Sequence, residues 1–121
     1  MKKYKWNLRT IGLWNKATFP DENIRGQRLK CSREASEYFN AKTYNERIEE
    51  LADFYIANAG LDGRFNEDGG RLVCELMRDL PNWDEINEAV QAKMELNLTR
   101  TWHKTNTGEW RHVNEKAKNN V

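Results

Sequence analysis

The stretch "ERIEELADFY", residues 46–55, decides how this chain is read. Ile48, Leu51, Phe54 and Tyr55 recur at the spacing of one helix face. Glu46, Glu50 and Asp53 run along the border of that face. Glu50 and Asp53 are three residues apart, ~60° round a helical wheel, so both can point at the same object. Thr43 followed by Glu46 has capping-box spacing, which predicts a helix start near Tyr44. Gly60 predicts its end. A row of carboxylates beside residues that should be buried is costly unless something offsets the charge.

A second acid pair lies upstream, in "SREASEYF", residues 32–39. Glu34 and Glu37 have the same i, i+3 spacing and the same relation to a following aromatic. This pair falls in a helix expected from about Ile24 to Asn40, with Ile24, Arg28, Cys31, Ala35, Tyr38 and Phe39 on one side. Antiparallel packing of the two helices would let the pairs face each other. A lone E-x-x-E is usually a solvated surface pair. Two such pairs, each at the edge of an apolar stripe, are harder to read that way. Four close carboxylates stay ionised only beside cations. Oxygen ligands with no His nearby favour Mg²⁺, with Mn²⁺ as the alternative. Such ions take their remaining ligands from phosphates, which points to phosphate chemistry.

The rest of the chain reads as helices with short connections. "LDGRFNEDGG" reads as a loop, and its acids do not form an EF-hand, because Asp62 is followed two residues later by Arg64. A third helix is expected over about Gly70 to Leu80, stopped by Pro81. Asn82 and Glu85 start a fourth, which runs to about Thr99. Its inner stripe begins as Ile86, Ala89 and Val90 and continues as Lys93, Asn97 and Arg100. That change reads as donors aimed at anionic oxygens, or as a helix leaving the core with cations favoured at its end. "TWHKTNTGEWRHV" alternates weakly round a Thr-Gly turn, as a short hairpin or arm would. "NEKAKNNV" reads as a frayed end. The fold class is all-α, a four-helix bundle with a short C-terminal hairpin or arm. It is a single domain over 1–121: an N-terminal segment (1–23), a helical core (24–99) and a C-terminal arm (100–121).

Composition bounds the function. The 121 residues carry a net charge of +1, so bulk charge argues neither for a nucleic-acid partner nor against one, and the acid pairs speak against one. Residues 1 to 19 are locally basic, with Lys2, Lys3, Lys5, Arg9 and Lys16 and no acid. No apolar run is long enough to span a membrane, and two cysteines without C-x-x-C suit a reducing cytoplasm. There is neither a G-x-x-x-x-G-K-[ST] nor a G-x-G-x-x-G, so P-loop and Rossmann routes to nucleotides are unsupported. Trp6, Trp14 and Phe19 are candidates for an aromatic wall against a base, or for plain packing. Lys30 is a candidate for phosphate contact or for an ion pair with Glu34. Asn58, one turn past Asp53, is a candidate base or sugar contact. Glu46 suits a cap, His103 and His112 read as surface residues, and Cys31 and Cys74 as small buried groups.

Glu34-x-x-Glu37, twelve residues, then Glu50-x-x-Asp53 resembles the E-x-x-E and E-x-x-D signature of the all-α nucleoside triphosphate pyrophosphohydrolases, the MazG-like superfamily. "EELADFYI" is similar to the second metal helix of that family, and "AKMELNLTRTW" to its K-x-x-x-N-x-x-R-x-W ending. "LWNKATFP" is similar to a Trp and Phe segment before the first metal helix. The resemblance covers roughly residues 14 to 102. It implies a MazG-like four-helix bundle, and Mg²⁺-dependent hydrolysis of a (d)NTP to (d)NMP and pyrophosphate. Glu34, Glu37, Glu50 and Asp53 would hold metal. Glu37, with Glu34, would help an activated water attack the α-phosphorus. Lys93, Asn97 and Arg100 would be phosphate or sugar contacts, beside the separate substrate-contact candidates Trp14, Lys30 and Asn58. A homodimer or homotetramer is implied. One departure stands out: Arg33 takes the place of the leading Glu in the family's E-E-x-x-E. The alternative is a non-enzymatic helical module that binds nucleotide or nucleic acid.

Overall fold

The computed structural model describes residues 4–65, 75, 78, 82–106 and 108–113, and these include four helices bounded by described residues and a two-stranded hairpin. The helices are α1 (Leu8–Thr18), α2 (Ile24–Asn40), α3 (Tyr44–Phe65) and α4 (Trp83–Asn97). The strands are β1 (Trp102–Lys104) and β2 (Trp110–His112), antiparallel, with His103 opposite Arg111. The fold is all-α with a small C-terminal hairpin, as the sequence predicts. No helix among the described residues is long and apolar enough to cross a membrane.

Capping sets most of the helix starts. Asn23 accepts from the Gly26 amide at 2.8 Å, and Asn82 from the Glu85 amide at 3.1 Å. Thr43 accepts from the Glu46 amide, while the Glu46 carboxylate reaches back to the Lys42 amide. Glu46 is therefore a capping residue. α1 was not expected. Its signal is an Asn7 cap closed reciprocally by Thr10, a weaker mark than one completed by Glu. α3 also runs past Gly60 to Phe65, so residues 61–65 are helix and not loop. Gly60 does not stop it because that glycine is a packing residue: a Cβ there would strike the Gln27 amide. Of the helix expected over 70–80 only residues 75 and 78 are described, and both are helical; the Cys74 assignment and the frayed end at 114–121 lie outside the described residues.

α3 is the central element. It packs against α1, α2 and α4, and from Leu51 to Leu61 every residue except the half-buried Asp53 is buried. Ile11, Leu51, Ile86, Val90 and Met94 close the main core around it. α1 approaches α3 backbone to backbone. A Cβ on Gly12 would lie 2.8 Å from the Gly63 Cα and 3.1 Å from the Ala59 carbonyl oxygen. Arg64 locks the same junction by donating to Asn15 Oδ1 and to the carbonyls of Pro20 and Glu22. The N-terminal residues lie along α4: Tyr4 donates to Asp84, Lys5 pairs with Glu95, and the Trp6 backbone exchanges two hydrogen bonds with Gln91.

α2 turns most of the expected face inward, with Cys31 buried and Ile24, Ala35 and Tyr38 packed against the core, and it buries polar residues beside them. Gln27, Cys31 and Glu34 are buried, whereas Arg28 and Phe39 are exposed. The buried stripe is largely polar because it faces a cleft and a hydrogen-bonded seam. Gln27 Nε2 donates to the Ala57 carbonyl at 2.6 Å.

The Gly12–Gly63 crossing yields a first prediction. Gly12→Ala should lower unfolding stability by about 1–3 kcal/mol, because the clash is with backbone that cannot swing aside. The exposed Lys16→Ala in the same helix should stay within ~0.5 kcal/mol of wild type. Urea denaturation of both variants checks this, and equal midpoints would contradict the close crossing.

Candidate active site

The antiparallel pairing of α2 with α3 sets Gln27 against Ala57 and Glu34 against Glu50 and Asp53. Glu34, Glu50 and Asp53 each offer an oxygen, and these three atoms lie within 4.8 Å of one another. Glu37 lies exposed at the edge of the group. All four line one cleft of about 140 Å³. The same cleft is lined by Lys93, Asn97 and Arg100, and by Trp14 and Lys30. Asn58 does not line it: its buried amide donates to the Phe54 carbonyl at 2.8 Å within α3.

The electrostatics are those of crowded, half-dry acids. Burial first, then the charge of Asp53, pushes Glu34 up to about 8 and Glu50 up to about 7. Asp53 is also raised by burial, against the opposing pull of Lys93. Glu34 Oε2 and Glu50 Oε2 are buried and accept no hydrogen bond. Two cations already stand beside the group. Lys93 Nζ is 3.2 Å from Asp53 and 3.1 Å from Glu49. Burial pulls the Lys93 ammonium down, but Asp53 and Glu49 outweigh it and hold it above its ordinary value. Arg33 NH1 is 3.1 Å from Glu34 Oε1 and 3.7 Å from Glu37 Oε1.

The donor stripe of α4 is more internally paired than its spacing implies. Lys93 is engaged by acids, and Asn97 Oδ1 accepts from Arg100 at 2.8 Å. α4 ends at Asn97, so Arg100 reaches the cleft from beyond the helix. Lys30 likewise makes no ion pair with Glu34: its ammonium sits 5.2 Å from the Phe19 ring centre and 5.0 Å from that of Trp102.

The opposite wall is aromatic. Trp14, Phe19, Trp102 and Trp110 form a cluster with ring centres 5.1–6.0 Å apart along their contacts. Trp6 is not part of it; its indole donates to Glu95 on α4. Trp102, Trp110, Arg111 and His112 come from the hairpin, and sequence reasoning did not assign them to the site. His112, read as a surface residue, is half-buried against Trp102 and lines the cleft. The alternation of "TWHKTNTGEWRHV" marked a hairpin but not where it folds back. It folds onto the start of α2, where a Cβ on Gly26 would collide with the Gly108 carbonyl, and Gly108 takes φ 87° in the turn.

Carboxylates grouped this closely, two of them with a buried oxygen that has no partner, fit a hard divalent ion. Fold and cleft together define an all-α domain with an acidic, cation-flanked and aromatic-walled cleft. No family model matches this chain, and no curated protein matches it. Among solved structures it is similar to a cyanophage S-2L MazG-like pyrophosphohydrolase, bound to dGDP and three catalytic Mn²⁺ ions per active site, at 24% identity and a TM-score of 0.42 over 88% of this chain and 89% of that one.

The raised acids predict a pH signature. Between their unfolded value of 4.5 and about 7 to 8, the folded metal-free chain holds protons that the unfolded chain has lost. Stability therefore falls as pH rises through that window. Thermal melts without metal should show a lower Tm at about pH 8 than at about pH 5.5, and Mg²⁺ or Mn²⁺ should raise Tm more at the higher pH, where fewer protons compete. A metal increment equal at both pH values would count against the ion binding these carboxylates.

Proposed function

We propose that this protein is a Mg²⁺-dependent nucleoside triphosphate pyrophosphohydrolase with a MazG-like bundle, using Mg²⁺ or Mn²⁺ to convert a (d)NTP to (d)NMP and pyrophosphate. The observation that carries the reading is the meeting of Glu34, Glu50 and Asp53 within 4.8 Å, with oxygens of Glu34 and Glu50 buried and unpartnered. Acids so placed would repel a triphosphate unless an ion lay between them. The paired-acid spacing in the sequence supports the same chemistry. Exposed Leu96, Leu98 and Phe39 suit assembly into a homodimer or homotetramer, and the cysteine usage suits the cytoplasm.

In this reading Glu34, Glu50 and Asp53, with Glu37 at their edge, hold the ion. Bound there, it supplies charge neutralisation for the phosphates and acidifies water. The protein's own groups do the rest. Lys30 and Arg100 offer positive charge to the phosphates, and Asn97 holds Arg100 in place. Trp14 and Trp102 present ring faces and edges to the base. Water attacks the α-phosphorus and the bond from that phosphorus to the bridging oxygen breaks. Pyrophosphate leaves with the electron pair, and the proton passes to Glu37, the most exposed of the four acids.

A second reading is supported by Arg33. Its guanidinium lies on Glu34 and Glu37, where the acids would otherwise be free for catalysis, which suits a protein that binds nucleotide without turning it over. Incubation with each dNTP and NTP plus Mg²⁺, followed by pyrophosphate detection, separates the two. Release is expected with at least one nucleotide. Glu50→Ala and Asp53→Ala should each reduce it by more than the ~10–100-fold typical of outer-shell partners of a metal, while far-UV circular dichroism stays native. Nucleotide-dependent thermal stabilisation with no pyrophosphate from any substrate would favour the binding module. Undiminished turnover in both variants would remove the carboxylates from the mechanism.

A further inference from the structure

We propose that Arg33 is a resident cation standing in for a second divalent ion, so that the acid cluster takes one ion per chain, between Glu34, Glu50 and Asp53. The inference rests on the metal-dependent reading above and deepens it by setting the number of ions.

Arg33 is pinned from behind. Its Nε and NH2 both donate to Glu109 Oε1, at 2.8 and 2.6 Å. Glu109 is buried in the hairpin, and its backbone carbonyl accepts from both the amide and the hydroxyl of Thr105. The backbone that carries this carboxylate is therefore fixed in the turn. A guanidinium is planar and permanently charged, so fixing Nε and NH2 also fixes the direction of NH1. NH1 points at Glu34 Oε1, 3.1 Å away, and lies 3.7 Å from Glu37 Oε1.

Two-metal sites hold their ions ~3.5–4 Å apart and share carboxylates between them. The first ion here has an evident place, where Glu34 Oε2 and Glu50 Oε2 are buried without partners next to Asp53. A second ion sharing Glu34 would have to use its other oxygen together with Glu37. That edge already carries the Arg33 guanidinium. Lys93 in turn holds Asp53 Oδ2 and the neighbouring Glu49. Fixed positive charge thus sits on Glu34 Oε1 and Asp53 Oδ2, and the unpartnered Oε2 atoms of Glu34 and Glu50 are left for an ion. Arg33 would then donate to the substrate phosphate in the place where a second ion would have touched it.

The test counts Mn²⁺ on the full chain without nucleotide, by the electron paramagnetic resonance signal of free ion during titration. Wild type should bind one ion per chain in the cluster, with an uncoupled six-line spectrum. Arg33→Gln should admit a second ion and show the exchange broadening of two ions on shared carboxylates. A coupled pair in wild type would overturn the inference and leave the metal-dependent reading intact. So would a folded Arg33→Gln protein that still takes one ion. Should the variant fail to fold, the wild-type count and line shape decide alone. No Mn²⁺ bound by wild type would remove the metal-dependent reading itself.

Discussion

The enclosure of α3 on three sides governs this structure. A helix with neighbours on only one side can turn its acids to water. α3 is flanked by α1, α2 and α4, so Glu50 and Asp53 meet Glu34 on the facing helix. The close approach depends on residues with little or no side chain at the crossings. Gly12 and Gly63 let α1 touch α3, and Gly60 makes room for the Gln27 amide that ties α2 to the Ala57 carbonyl.

The charge this creates is relieved in two ways. Glu34 and Glu50 hold protons more tightly than free carboxyls, because of burial and the charge of Asp53. Lys93 and Arg33 supply fixed positive charge beside Asp53 and Glu34. On the proposed reading a divalent ion at the centre would be a third route, in direct competition with the protons, so that metal affinity, pH and stability would move together.

The hairpin turns an acidic notch into a cleft. It brings Trp102, Trp110 and His112 opposite the carboxylates, and Glu109 behind Arg33. One short element thus contributes to the aromatic wall and also holds the cation that braces Glu34. The turn rests on α2 through the Gly26 and Gly108 contact, so packing at the start of that helix bears on the geometry at its middle.

The helices α2, α3 and α4 were legible in the sequence because capping and apolar periodicity are local. The acid pairs were legible for the same reason: i, i+3 spacing puts two side chains on one face in any helix. α1 was missed because its Asn-Thr cap and glycine-containing face give a faint local signal, and its place is set by contact with Gly63 far along the chain. Arg28 and Phe39 were misplaced on the inward face of α2 and Gln27 was missed there, because a polar residue can be buried when a buried amide network receives it. Which cation stands beside which acid was undecidable from spacing alone. Arg33 finds Glu109 across 76 residues and Lys93 finds Asp53 across 40. The chain alone determined which residues share a helix face; only the tertiary structure decided which faces meet, because distances between charges on different helices are set by packing and not by position in the sequence.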